Sequence, residues 1–235
     1  MGLSRHIVGL LGVGVAASAA LAATGFTALG GFSATVENNS GAAGSGTLLL
    51  SEGSSGVTCI STGSGTTSST SITSNDNPTC PINLFSDTNL EPLGSPNGAT
   101  QSATVTLTNP GSLPGSTLSL TPGSCTVSNN TSPGGNANTY FGTDTSGFCG
   151  LLDITIENDT TSGSPACVFP AGSGACPTPT SAHTLASLTS FTGLPGLAAN
   201  GGTATYKVTI GLDSAATNAD QGLLATVPLT WTLAQ

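Results

Sequence analysis

The sequence predicts an all-β protein built as a single β-sandwich, and three observations lead there. Short runs alternate apolar and hydroxyl residues with a period of two, as in Ala103-Thr104-Val105-Thr106-Leu107-Thr108. Turn-forming Pro and Gly separate these runs at Asn109-Pro110-Gly111, Thr121-Pro122-Gly123, Ser132-Pro133-Gly134-Gly135 and Asn200-Gly201-Gly202. Downstream of the N-terminal apolar stretch, no amphipathic pattern persists for the roughly twelve residues that a stable helix needs. Many short strands with Gly/Pro turns and no helices describe a sandwich.

Taken in order, the chain opens on an export leader. Arg5 and His6 form a short basic start, Ile7 to Ala23 carries no charge, and Ala20-Leu21-Ala22 offers the small-x-small pattern of signal cleavage. Residues 1–23 are therefore expected to be a signal peptide, with the cleavage point anywhere from 22 to 31. A retained anchor stays open as an alternative, because the uncharged run approaches the roughly 20 residues that span a bilayer. Its Ala and Gly content, with no basic cluster behind it, favours removal. The sandwich domain is expected to occupy residues 32–235.

Within that domain, strands are expected at Ser45 to Leu50, Ala103 to Thr108, Thr117 to Leu120, Leu151 to Ile156, Ala186 to Phe191, Ala204 to Ile210 and Leu224 to Leu233. Pro228 lies inside the last run and has no N–H to give a ladder, so an edge strand or a bulge is expected there. The Ser/Thr/Gly/Asn-rich stretches Ser61 to Pro78 and Asn129 to Gly147 read as surface insertions.

Six cysteines, Cys59, Cys80, Cys125, Cys149, Cys167 and Cys176, form an even set in an exported chain and are read as three disulfides. Six cysteines allow about 15 pairings. The expected set joins neighbours, Cys59 with Cys80, Cys125 with Cys149 and Cys167 with Cys176, because each bridge then closes one loop-rich excursion.

Charge narrows the partners. The chain has two basic residues, Arg5 and Lys207, against eleven carboxylates, for a formal net charge of −9. Loss of the leader leaves Lys207 alone. Nucleic acid is excluded as an expected partner, and so are anionic membranes, because both need clustered Lys and Arg. Charged residues make up only 6% of the chain, so hydroxyls and amides hydrate the surface, and copies of the protein repel one another weakly.

Catalytic, cofactor and metal sites are all expected to be absent. The sequence has no His-Glu-x-x-His and no Gly-x-Ser-x-Gly, and His183 alone cannot assemble a zinc site. Asp153 with Glu157, or Glu157 with Asp159, could pair as glycosidase carboxylates, although the flanking Leu152, Ile154 and Ile156 already explain that segment as an alternating strand. Asn75-Asp76-Asn77, Thr143-Asp144-Thr145 and Asn158-Asp159-Thr160 supply oxygen ligands of the kind calcium takes, and Asx turns explain the same residues. The aromatics Tyr140, Phe141, Phe148, Tyr206 and Trp231 form no visible sugar-stacking platform in the sequence.

Phe32-Ser33-Ala34-Thr35-Val36-Glu37-Asn38 followed by Gly44-Ser45-Gly46-Thr47-Leu48-Leu49-Leu50, then Val105 to Leu113, then Asp220-Gln221-Gly222 and the closing β run to Gln235, together resemble the TasA/camelysin family of SipW-processed secreted proteins. The chain departs from that pattern at Phe32 to Val36, where the family carries two aromatics followed by Asp/Asn-Thr, and in its Cys-bearing insertions. The resemblance implies a jelly-roll-like β-sandwich at the cell surface or in the extracellular matrix, polymerising into biofilm fibres. It also implies that the N-terminal segment, here Phe32, Ser33, Ala34, Thr35, Val36, Glu37 and Asn38, is donated as a strand to the next copy. The expected partner is then the protein itself, with other matrix or cell-wall components beside it. A monomeric surface adhesin or ligand-binding module is the alternative function, and a camelysin-like peptidase is a more distant one.

Overall fold

The computed structural model describes residues 35–36, 43–61, 80, 82, 84–85, 90–130, 142–144, 147–161 and 163–235. Residues 1–23, expected to be a leader, most of both predicted insertions, and Tyr140 and Phe141 lie outside the described residues. The chain divides into two compact units, Met1–Thr47 and Leu48–Gln235. In the first, β1 (Thr35–Val36) pairs antiparallel with β2 (Ala43–Gly44) in a two-residue ladder.

The second unit is all-β and antiparallel in its ladders. Its strands are β3 (Ser51–Ser54), β4 (Val57–Ile60), β5 (Gln101–Asn109), β6 (Thr117–Pro122), β7 (Thr126–Asn129), β8 (Leu152–Asn158), β9 (Ala166–Phe169), β10 (Phe191–Pro195), β11 (Gly202–Leu212), β12 (Leu223–Thr226) and β13 (Leu229–Ala234). Six of them form one sheet in the order β4-β3-β5-β11-β8-β9, and three form another in the order β10-β6-β13. β12 and β7 make a separate two-stranded ladder. The chain passes from the large sheet to the small one between β5 and β6 and between β9 and β10, and returns between β10 and β11. These crossings give the sandwich its jelly-roll-like character.

Alternation decides which face of each strand is buried. Val105 and Leu107 on β5 point inward, as do Ala204, Tyr206, Val208 and Ile210 on β11 and Ile154 and Ile156 on β8. They meet Leu118 and Leu120 of β6 and Trp231 of β13 in one apolar cluster between the sheets. Burying a side chain such as Leu107 fully is worth roughly 1.5–3 kcal/mol, so this layer is the main source of stability. The Tyr206 and Trp231 rings lie 4.6 Å apart across the two sheets. A second, smaller cluster joins Phe148, Leu152, Leu212 and Leu223.

Three disulfides pin the sandwich: Cys59–Cys80, Cys125–Cys149 and Cys167–Cys176. This is the neighbouring set, and no cysteine is free. It suits an oxidising compartment.

Local turn chemistry does what the sequence asks of it at the β5–β11 end. Asn109 is fully buried; its Oδ1 accepts from Gly111 N at 3.0 Å and its Nδ2 donates to Leu113 O at 2.8 Å. Asn200 and Gly201 have φ of 56° and 97°, the left-handed geometry that Asn and Gly tolerate.

Several strand expectations need correction. Ser45 to Leu50 forms no strand; the ladder starts at Ser51, and Leu50 instead exchanges hydrogen bonds with Ser61. Ala186 to Phe191 is also not a strand: Leu185–Ser187 is a 3-10 turn, and β10 begins only at Phe191. The Leu224 to Leu233 run is two strands in two sheets. Val227-Pro228 is the switch between them and not a bulge, it leads into β13 at the edge of its sheet as the edge-strand expectation has it, and the Pro228 carbonyl accepts from Gly123 N at 2.7 Å. A residue without an N–H fits the point where the chain leaves one ladder for another.

Candidate functional site

The outward face of the large sheet is a lattice of hydroxyls. Ser102, Thr104, Thr106 and Thr108 of β5 stand in register with Thr209, Lys207, Thr205 and Thr203 of β11. Thr155 and Glu157 of β8 continue the rows through Thr209 and Lys207. Neighbouring strands are roughly 4.8 Å apart, so these side chains form compact rows across three strands. The Ser102 and Thr209 hydroxyls lie 2.8 Å apart.

At one end the lattice becomes a pocket of about 200 Å³. Its floor is Ser102, Thr155, Glu157, Lys207 and Thr209, with Thr100 at the side, and the segment Cys176-Pro177-Thr178-Pro179 is its wall. The wall is held twice. The Cys167–Cys176 disulfide ties it to β9, and Cys176 N donates to Glu157 Oε2 at 2.6 Å. Lys207 is exposed, sits in register between Thr104 and Glu157, and makes no ion pair among the described residues.

Two residues before Thr155 on β8, the same outward side carries Asp153, which is only 1% exposed. The chain bridges over it at Thr184, and its Oδ1 has no hydrogen-bond partner. Burial, with the Asp213 carboxylate nearby, pushes the Asp153 carboxyl from 3.8 up to about 6. Asp213 is itself buried at the end of β11, and its Oδ1 accepts from Ala215 N at 2.6 Å. Glu52 on β3 is likewise shifted upward by burial.

Asp153 and Glu157 do share a face, but four residues along a strand separate them by roughly 13 Å. Glycosidase carboxylates stand about 5–9.5 Å apart, so this pair does not fit that chemistry. Asn158 and Asp144 serve their own backbones: Asn158 Oδ1 accepts from Thr160 N at 3.0 Å and Asp144 Oδ1 from Phe148 N at 2.7 Å. No cluster of three or more metal-ligating side chains occurs among the described residues. Asn75-Asp76-Asn77 lies outside the described residues. The His183 ring meets Phe169 edge-on at 5.6 Å, and its carbonyl accepts from Ile154 N. Phe148, Tyr206 and Trp231 are buried core. Of Phe32 to Asn38, only Thr35 and Val36 are described, in the β1–β2 ladder.

Lys207, Thr209, Ser102 and the Cys176–Pro179 wall were not singled out as a site from the sequence. The Thr-x-Thr alternation marks an outward hydroxyl face, but only the β5-β11-β8 order brings the three strands together. No family model matches this chain, and no curated protein matches it significantly.

Proposed function

We propose that the protein is a secreted structural subunit that assembles with its own copies into surface or matrix fibres of the TasA/camelysin type, with Phe32 to Asn38 as the donated strand. The observation that carries this reading is the edge of the small sheet. β13 (Leu229–Ala234) pairs with β6 alone among the described residues, and its sequence Leu-Thr-Trp-Thr-Leu-Ala has neither a charge nor a proline. Such an edge offers unpaired N–H and C=O groups to an incoming strand. The opposite edge, β10, is blunted by a register shift and by Pro195. Sparse charge on the whole chain leaves little to oppose contact between copies.

Export supports the same reading through the leader-like 1–23 segment and the three disulfides. The test is filament growth, followed by light scattering and electron microscopy, for the wild type, a variant lacking residues 32–38, and Thr35→Pro. Deletion of the donor strand leaves a folded monomer that does not polymerise. Unchanged filament growth in the deletion variant refutes strand donation.

A second reading, a surface ligand-binding module, is favoured by the hydroxyl-lined pocket over β5, β11 and β8. A camelysin-like peptidase has no support in the constellation of His183 with the described carboxylates.

A further inference from the structure

We infer that the pocket over Lys207 and Glu157 is a binding site for an uncharged hexose unit of an extracellular glycan. The site is independent of fibre assembly, because every group in it belongs to one copy of Leu48–Gln235.

A sugar ring presents vicinal hydroxyls, each of which both gives and takes a hydrogen bond. The pocket answers with a free ammonium at Lys207, a carboxylate at Glu157, and the hydroxyls of Ser102 and Thr209, which bond each other and keep capacity for further bonds in either direction, above a buried Thr155. Glu157 Oε2 accepts from Cys176 N, which fixes the carboxylate and leaves Oε1 for a further partner. Charge-assisted bonds from Lys207 and to Glu157 are the strong contacts in such a set.

Charge and size select the ligand. Lys207 and Glu157 cancel locally, while the chain as a whole carries −9, so an acidic polymer is repelled at long range and an uncharged one is not. The volume of about 200 Å³ lies below the roughly 300–1,000 Å³ of sites for drug-sized molecules, so it takes one ring and not several. A lone carboxylate beside an ammonium is a poor cation site, since calcium takes roughly six to eight oxygens.

The site is preorganised and continuous with the rest of the sheet face. The floor is set by two ladders with unbroken register, and the wall by a disulfide and a 2.6 Å hydrogen bond, so little ordering is left to be done on binding. Pro177, exposed on the wall, supplies an apolar contact for a sugar's C–H face, while Pro179 is buried behind it. Beyond the pocket, Thr104, Thr106, Thr203 and Thr205 extend the same outward rows, a track along which further units of a chain can lie.

The experiment uses the full mature chain, kept at a concentration where it is monomeric by light scattering. Backbone amide NMR is titrated with glucose, galactose, mannose and N-acetylglucosamine and their neutral oligomers, with glucuronate and polygalacturonate as anionic controls. The expected result is millimolar or tighter binding to at least one neutral sugar, with shifts at Ser102, Thr155, Lys207 and Thr209. Lys207→Met and Glu157→Gln each weaken it about tenfold, the loss expected for one charge-assisted hydrogen bond. Thr209→Val, which removes a hydroxyl at nearly constant volume, gives a smaller loss of about threefold. Melting temperatures within a few degrees of wild type show that the variants fold. Absence of binding to every neutral sugar overturns the inference, as does binding confined to the anionic probes or binding unaltered in both charge variants.

Discussion

Asp153→Asn should make this protein more stable at neutral pH and should remove most of its acid-side stability gain. The wild-type carboxyl is 1% exposed, has an oxygen with no hydrogen-bond partner, and faces the field of Asp213. Its folded-state value of about 6 stands above the ordinary 3.8. With the folded value raised, the neutral acid is the form that the fold prefers. Stability from this group is therefore full below about pH 4, declines as pH rises toward 6, and is lost above that. The step corresponds to about 3 kcal/mol, which for a domain of this size is roughly 6–12 °C in Tm. An amide at position 153 is neutral throughout and is not repelled by the Asp213 carboxylate. Urea unfolding at closely spaced pH values from 4 to 8, with disulfides intact, measures the slope. Wild type should lose stability between pH 4 and 7, and Asp153→Asn should be flatter and more stable at pH 7, with a residual slope from Glu52, whose value is also raised by burial. A wild-type protein that gains stability over that interval, or an Asn variant with an unchanged slope, refutes the reasoning.

Three further outcomes test the fold. Asn109→Leu should cost about 2–4 kcal/mol in chemical denaturation, because Gly111 N and Leu113 O lose their buried partner. Replacing Cys125 and Cys149 together by Ala should destabilise by about 3.5 kcal/mol and the Cys167, Cys176 pair by about 2.6, in the order of their separations of 24 and 9 residues, as read by differential scanning calorimetry. Gly196→Ala should lower Tm sharply, since a Cβ there runs into the Gly115 carbonyl and the Ser116 backbone, whereas Gly150→Ala, where a Cβ meets nothing, should leave Tm within about 2 °C; a thermal melt of both variants checks the contrast.

How far the sequence reached differs from element to element. β5 and β11 were legible because a half-buried strand writes its burial directly into period-two alternation, and Val105, Leu107, Tyr206 and Val208 are indeed the inward residues. β9 was not, because Ala166-Cys167-Val168-Phe169 lies between Pro-rich turns and buries three residues in succession. β12 and β13 read as one strand, because an apolar run carries no mark of which sheet it joins. The disulfide pairing followed from loop composition, a local property.

The sequence by itself determined the all-β class, the neighbouring disulfides and the polar, weakly charged surface, since each depends on residue type and short-range spacing. The tertiary structure alone decided the candidate site. Lys207, Glu157 and Cys176 come from β11, β8 and the segment after β9, and Asp153 meets the field of Asp213 only because β8 pairs with β11. Strand order and register join residues tens of positions apart, and they are settled by how all the buried faces pack at once, a condition that no local pattern encodes.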